Sequence, residues 1–170
     1  MDQNIAGIQD AIVLATEGMT AEEFGCRPQE NKWSAAEVLE HLMLTYSGTA
    51  KGMEMCLAEG KPRVTGQSLK QRLLIYLIAR RGFFPQGREA PKHVRPRGTP
   101  VPEVLPGIYH HLQAMDSAIT RAEAQFGSGK ILDHPLLGAL TADEWRHFHV
   151  THTRHHLKQI AAIRGRDCCS

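Results

Sequence analysis

The sequence predicts an all-α protein, and three observations carry the prediction. Five stretches of the 170 residues repeat apolar side chains at three- and four-residue spacing. None alternates apolar and polar residues convincingly. Two stretches open on a capping box, Ser34 with Glu37 and Thr141 with Glu144, in which a hydroxyl and a carboxylate satisfy each other's orphan amides. The length suits a single domain spanning 1–170.

Ile5, Ile8, Ile12 and Ala15 form one face of a first helix over about 2–17, ended by Gly18. Ser34 caps a second helix, 35–59, with Val38, Leu42 and Met43 inward, and Gly60 and Pro62 stop it. Ser68–Arg81 reads as a shorter helix with Leu69, Leu73, Tyr76 and Leu77 on its apolar face. Residues 82–100 hold four prolines and three glycines, which deny them regular helix, so they read as a long crossover, mobile or covering a site. From Pro102 to Phe126 helical spacing returns through Val104, Ile108, Leu112, Met115 and Ile119, with Pro106 tolerable only in the first turn. The last helix starts after Thr141 and runs to about Ile163. Long helices with one long crossover between the second and third bundle members predict a four-helix bundle with a non-sequential connection.

Apolar residues at 42%, charged residues at 22% and a net charge of +2 describe an ordinary globular chain with no global attraction to nucleic acid. The basic residues Arg80, Arg81, Arg88, Lys92, Arg95 and Arg97 cluster in and beside the crossover without interleaved stacking aromatics beyond Phe83 and Phe84, so they read as solvated surface. No apolar run reaches the roughly 20 residues that span a bilayer, and Met1-Asp2-Gln3-Asn4 lacks a signal-peptide start, so a cytoplasmic location is expected. Cys26 and Cys56 are isolated, and Cys168 and Cys169 read as an incidental tail.

The run from His149 to Ile160 holds the chemistry. On a helix, Trp145, His149, His152, His156, Ile160 and Ile163 share one stripe, with Phe148 and Gln159 beside it. Neutral imidazoles on a buried face each need a partner, and a metal ion answers several at once. His152 and His156 are one turn apart, and His41, near the buried edge of the second helix, is the natural third ligand. Zinc or nickel suits such a set, and iron or manganese is compatible. His149 is the rival ligand, while His155 lies toward the edge, where it can meet substrate or water. Glu37 or Gln159 can orient a ligand imidazole, and His147, Arg154 and Lys158 fall on the solvated face. His93, His110, His111 and His134 are expected to have no metal role.

Two segments resemble the DinB/YfiT-like metalloenzyme superfamily. They are Trp33-Ser34-Ala35-Ala36-Glu37-Val38-Leu39-Glu40-His41, and His134-Pro135-Leu136-Leu137-Gly138 continuing through Glu144-Trp145 to His152-Thr153-Arg154-His155-His156-Leu157-Lys158-Gln159-Ile160. The second is similar to DUF1569-type members. The resemblance implies an up-down-down-up bundle with metal ligands at His41, His152 and His156. It also implies dimers and, by likeness to thiol-dependent S-transferases and a mycothiol-dependent maleylpyruvate isomerase, a low-molecular-weight thiol at the metal. The crossover at 82–100 departs from any substrate-binding element of that pattern.

The leading expectation is therefore a metal-dependent enzyme that transfers a thiol onto an electrophilic small-molecule substrate. An ion held by three neutral imidazoles keeps its charge and acidifies a bound thiol or water. The same chemistry permits a metal-dependent hydrolase. A non-catalytic, stress-associated metal-binding bundle is the reading from a different class, and a fourth protein ligand would favour it. A homodimer is expected, with neither nucleic acid nor membrane as partner.

Overall fold

The computed structural model describes residues 1–82 and 89–164, the side chains of 79–81 apart. Within these the protein is mostly helical: α1 (Gln3–Thr16), α2 (Ala21–Gly25), α3 (Ala35–Glu59), α4 (Leu69–Arg81), α5 (Val101–Phe126) and α6 (Ala142–Ile163). A single 3-10 turn, Lys92–Val94, interrupts the crossover, and a hairpin of β1 (Leu132–His134) and β2 (Gly138–Leu140) precedes α6. No described helix is long and apolar enough to cross a membrane.

Helix starts follow the local chemistry closely. Capping boxes are formed at Thr20/Glu23, Ser34/Glu37, Ser68/Gln71 and Thr141/Glu144. The first of these opens α2, a one-turn helix too short for the apolar repeat that reveals its longer neighbours. Pro106 lies beyond the first turn of α5, contrary to expectation, on the exposed side, where its missing N–H costs the helix one internal bond.

α5 packs along α3, α1 lies against α6 and α5, and α6 also meets α3, α4 and α5. The sealed interior between them holds Leu39, Leu42, Tyr46 and Met53 of α3, Ile108, Leu112, Met115 and Ile119 of α5, and Ile5 and Ile12 of α1. Each Leu or Ile buried this way contributes roughly 1.5–3 kcal/mol.

One expectation is corrected here. In α4 the expected face is largely outside: Leu69, Leu73 and Tyr76 are 81%, 61% and 54% exposed, and Ile75 and Ile78 are buried instead. Both stripes have helical spacing, and docking of α4 on α6 selects the second. The crossover is anchored at its C-terminal end. Residues 97–99 are tied to α3 through the Glu40 carboxylate, which accepts the amides of Arg97 (3.0 Å), Gly98 (3.0 Å) and Thr99 (3.2 Å) and the Thr99 hydroxyl (2.6 Å). The expected crossover residues 83–88, with Arg88, and the tail cysteines Cys168 and Cys169 lie outside the described residues, as do the side chains of Arg80 and Arg81.

The hairpin pairs Leu132 with Leu140, Asp133 with Ala139 and His134 with Gly138. Three residues per strand are too few for an alternation to be visible in the sequence. The segment after α3 lies alongside: Arg63 donates to the Ile131 carbonyl (2.9 Å), and Thr65 donates from its amide (2.8 Å) and hydroxyl (2.6 Å) to Asp133 Oδ2. Trp145 Nε1 donates to the Leu132 carbonyl (3.2 Å), so α6 and the hairpin form one wall.

Candidate metal centre and its cavity

α6 turns a polar stripe inward: Trp145, Phe148, His149, His152, Thr153 and His156 are all buried. Opposite it α3 presents His41, Tyr46 and Thr49. Where the two helices face each other, His41 Nε2 lies 3.2 Å from His152 Nε2, and His156 Nε2 lies 3.0 Å from the same atom. The ligand atoms of the three all fall within 4.8 Å of one another.

The outward nitrogens decide what these inner atoms can be. His41 Nδ1 sits 2.8 Å from the Val94 carbonyl and His156 Nδ1 sits 2.8 Å from Gln159 Oε1. Each therefore donates an Nδ1–H, which leaves a bare lone pair on Nε2. Two lone pairs converge on His152, whose Nε2 could offer at most one hydrogen. Burial and, for His152 and His156, the neighbouring imidazoles hold all three rings below the ordinary histidine pKa, His156 being pushed down to about 3. Neutral imidazoles with inward lone pairs are what a divalent cation requires. Nitrogens ~2.0–2.1 Å from one ion and adjacent around it stand roughly 3.0–3.4 Å apart, which the two short separations match. The residues present fit a metal ion.

The other expected site residues are sorted by the same contacts. His149 is placed away from the cluster, with Nε2 3.1 Å from the Thr49 hydroxyl and its ring stacked on Trp145. Burial pushes it down to about 3. Its Nδ1 is sealed without a hydrogen-bond partner among the described residues. Gln159 orients a ligand ring, whereas Glu37 is consumed by the Ser34 cap and an ion pair with Arg27. His155 is half-buried beside the cluster, its ring 5.2 Å from His156. His110 and His111 stand on α5, outside the group.

Sequence reasoning missed Val94 and Glu40. The carbonyl of Val94 has no side-chain signature, and Glu40 reads as an ordinary polar position on α3 until the fold lays 97–99 across it. It also missed Tyr46, whose hydroxyl meets Thr153 Oγ1 at 2.6 Å and braces α3 against α6 next to the cluster.

The cluster borders a cavity of about 1080 Å³. Its lining includes Trp33, Thr49, Leu74, His93, His134, Leu136, Trp145, Phe148, His155, Lys158 and Gln159. Lys158, expected on the solvated face, is exposed yet borders this space. His134, expected in a proline-flanked loop with no metal role, is part of its wall.

Among known proteins the chain is similar to the uncharacterized protein YuaE of Bacillus subtilis (strain 168), at 25% identity over 152 residues covering 86% of each chain. No solved structure matches. Residues 8–162 match the family described as protein of unknown function (DUF1569). With nearly its whole length matched, and with the histidine cluster and the hairpin inside the matched span, the chain belongs to the DUF1569 family.

Proposed function

We propose that the protein is a metal-dependent enzyme of the DinB-like superfamily, a thiol-dependent S-transferase in which His41, His152 and His156 hold one divalent ion. The observation that carries this reading is the convergence of inward lone pairs on one point beside a large cavity. Among the described residues the group contains three ligands, with no fourth histidine, cysteine or carboxylate. That supports an open site over a closed structural one. When bound, the ion would supply Lewis acidity toward a thiol or water. The chain's own residues do the rest: Val94 and Gln159 hold two ligand rings in one tautomer, and the rings of Trp33 and Phe148 pack against His41 and His152. A metal-dependent hydrolase is the alternative on the same residues, with water in place of the thiol.

The finer architecture belongs to the same proposal. α1, α3, α5 and α6 are read as the up-down-down-up bundle, supported by the packing of α3 on α5 and α1 on α6. The exposed apolar edge of α4 supports a homodimer, which light scattering of wild type and Leu73→Glu would test.

The functional reading is tested on protein purified without a histidine tag. One divalent ion per chain is expected, lost in His156→Ala while the far-ultraviolet circular dichroism stays helical. In cobalt-substituted protein, 2-mercaptoethanol should shift the visible bands near neutral pH, because a thiolate entering an open position changes the ligand field. Full metal content in His156→Ala would remove the site. A cobalt spectrum indifferent to thiol would remove the transferase reading.

A further inference from the structure

The cavity wall at the hairpin contains a histidine whose protonation is dictated by the backbone. His134 Nδ1 receives the amide hydrogens of Leu136 (3.1 Å) and Leu137 (3.2 Å). A nitrogen that accepts carries no proton, so the ring is neutral and its single hydrogen is on Nε2. The ring lies 4.5 Å from Phe148 and 5.4 Å from Trp145, and Phe148 in turn stacks on His152 at 5.2 Å. One aromatic ring thus separates His134 from the histidine cluster. Its Nε2 has no hydrogen-bond partner among the described residues and is not one of the sealed polar atoms of the interior, while the residue lines the cavity.

Holding the turn does not require histidine. Asp or Asn at this position would offer an oxygen to the same two amides. What histidine adds over these shorter side chains is reach: its N–H stands on the far side of a rigid ring from the turn, on a residue that lines the cavity.

We propose that His134 is a substrate-positioning donor, whose Nε2–H takes the carbonyl oxygen of a substrate bound in the cavity that the hairpin and the histidine cluster both line. The word substrate rests on the metalloenzyme reading above; the binding itself does not. Burial, with a smaller effect of His93, pushes the ring down to about 4, so the donor stays neutral and suits an uncharged carbonyl rather than selecting an anion. A neutral imidazole of this kind polarises a carbonyl without giving up its proton. Phe148 and Trp145 are themselves almost fully buried and hold the His134 ring in place, so the donor stands at a fixed point on the cavity wall.

The test uses methyl cinnamate as the probe and β-methylstyrene, the same skeleton without the ester, as its control. In protein with ¹⁵N-labelled histidine, long-range proton–nitrogen correlations should show His134 protonated only at Nε2 from pH 7.5 to 5.5. Methyl cinnamate should move that resonance and β-methylstyrene should not. By calorimetry the ester should bind about three- to tenfold more tightly than the hydrocarbon, the effect of one hydrogen bond. His134→Asn keeps the acceptor for Leu136 and Leu137, so hydrogen exchange at those amides should be unchanged while the ester preference disappears. An Nδ1–H tautomer, an imidazolium at pH 6, absence of ester binding, or a preference that survives in His134→Asn would each overturn the proposal. All measurements are made on metal-free and zinc-loaded protein. An ester preference in a protein that takes up no ion would sink the metal reading alone, and an ion bound without the preference would sink this one alone.

Discussion

Glu40 and His41 are neighbours on α3 with coupled tasks. The Glu40 carboxylate anchors 97–99, and a few residues upstream the Val94 carbonyl holds His41 in the tautomer that turns its lone pair inward. Burial works to raise the Glu40 pKa, but the Thr99 hydroxyl and the amides of 97–99 outweigh it and hold the group below the usual carboxylate range. A depressed folded-state value means that the stabilisation is complete above the unfolded value and is lost only as pH falls through the lower, folded one. At neutral pH the anchor is fully engaged. Glu40→Gln would set an amide NH₂ against backbone donors at a cost of about 1–3 kcal/mol. Because the change also loosens the carbonyl that orients His41, zinc affinity should fall about 10–100-fold with all three histidines intact. Thermal unfolding and a competition titration with a chromogenic chelator would check both effects; unaltered affinity would show that Val94 does not position the ring.

At the scale of elements, the hairpin and the start of α4 depend on each other. Gln67 Nε2 donates to the carbonyls of Leu137 (3.3 Å) and Ala139 (2.9 Å), and Gln71 caps α4 through Ser68 while standing beside Gly138. Gly138 has φ +71°, and a Cβ there would meet Gln71 Oε1 at 2.9 Å. Gly138→Ala should therefore cost about 1–2 kcal/mol for the left-handed backbone alone and should also dislodge the cap. Amide exchange should rise at both the hairpin and Leu69–Arg72, with helix α5 unaffected. Exchange confined to the hairpin would show that the two elements are independent. The segment His134-Pro135-Leu136-Leu137-Gly138 thereby acquires a physical meaning that its sequence did not disclose. Its histidine receives the turn amides, and its glycine supplies the backbone angle.

For the whole molecule, the buried histidines make stability depend on pH. His134 and His149 are pushed down to about 4 and about 3, chiefly by burial, whereas in the unfolded chain they titrate near ~6.5. Below that value the unfolded state takes up protons that the folded state refuses, so the stabilisation is full above about pH 6.5 and declines as pH falls toward the folded values. Each such histidine contributes a slope of about 1.4 kcal/mol per pH unit in that window. Urea unfolding of the metal-free protein between pH 6.5 and 4.5 should show a steep fall. In His149→Phe, which keeps a ring beside Trp145 but cannot protonate, the slope should be shallower by about one proton. An unchanged slope would mean that His149 does not remain neutral in the folded protein.

The sequence by itself determined the five longer helices and the inward line of His152 and His156, because caps, apolar spacing and the one-turn interval are contained within a few residues of backbone. It also marked His41 as the residue to bring to that pair, since a well-capped helix carries it at the edge of an apolar face. Only the tertiary structure decided which imidazoles meet. It placed His149 on Thr49 and not in the cluster, put the Val94 carbonyl behind His41, laid 97–99 on Glu40, turned Leu69 and Leu73 outward, and made His134 a cavity wall. These outcomes depend on contacts between segments far apart in the chain, such as the 100 positions between Thr49 and His149. They follow from how the helices dock, and no local propensity encodes that choice.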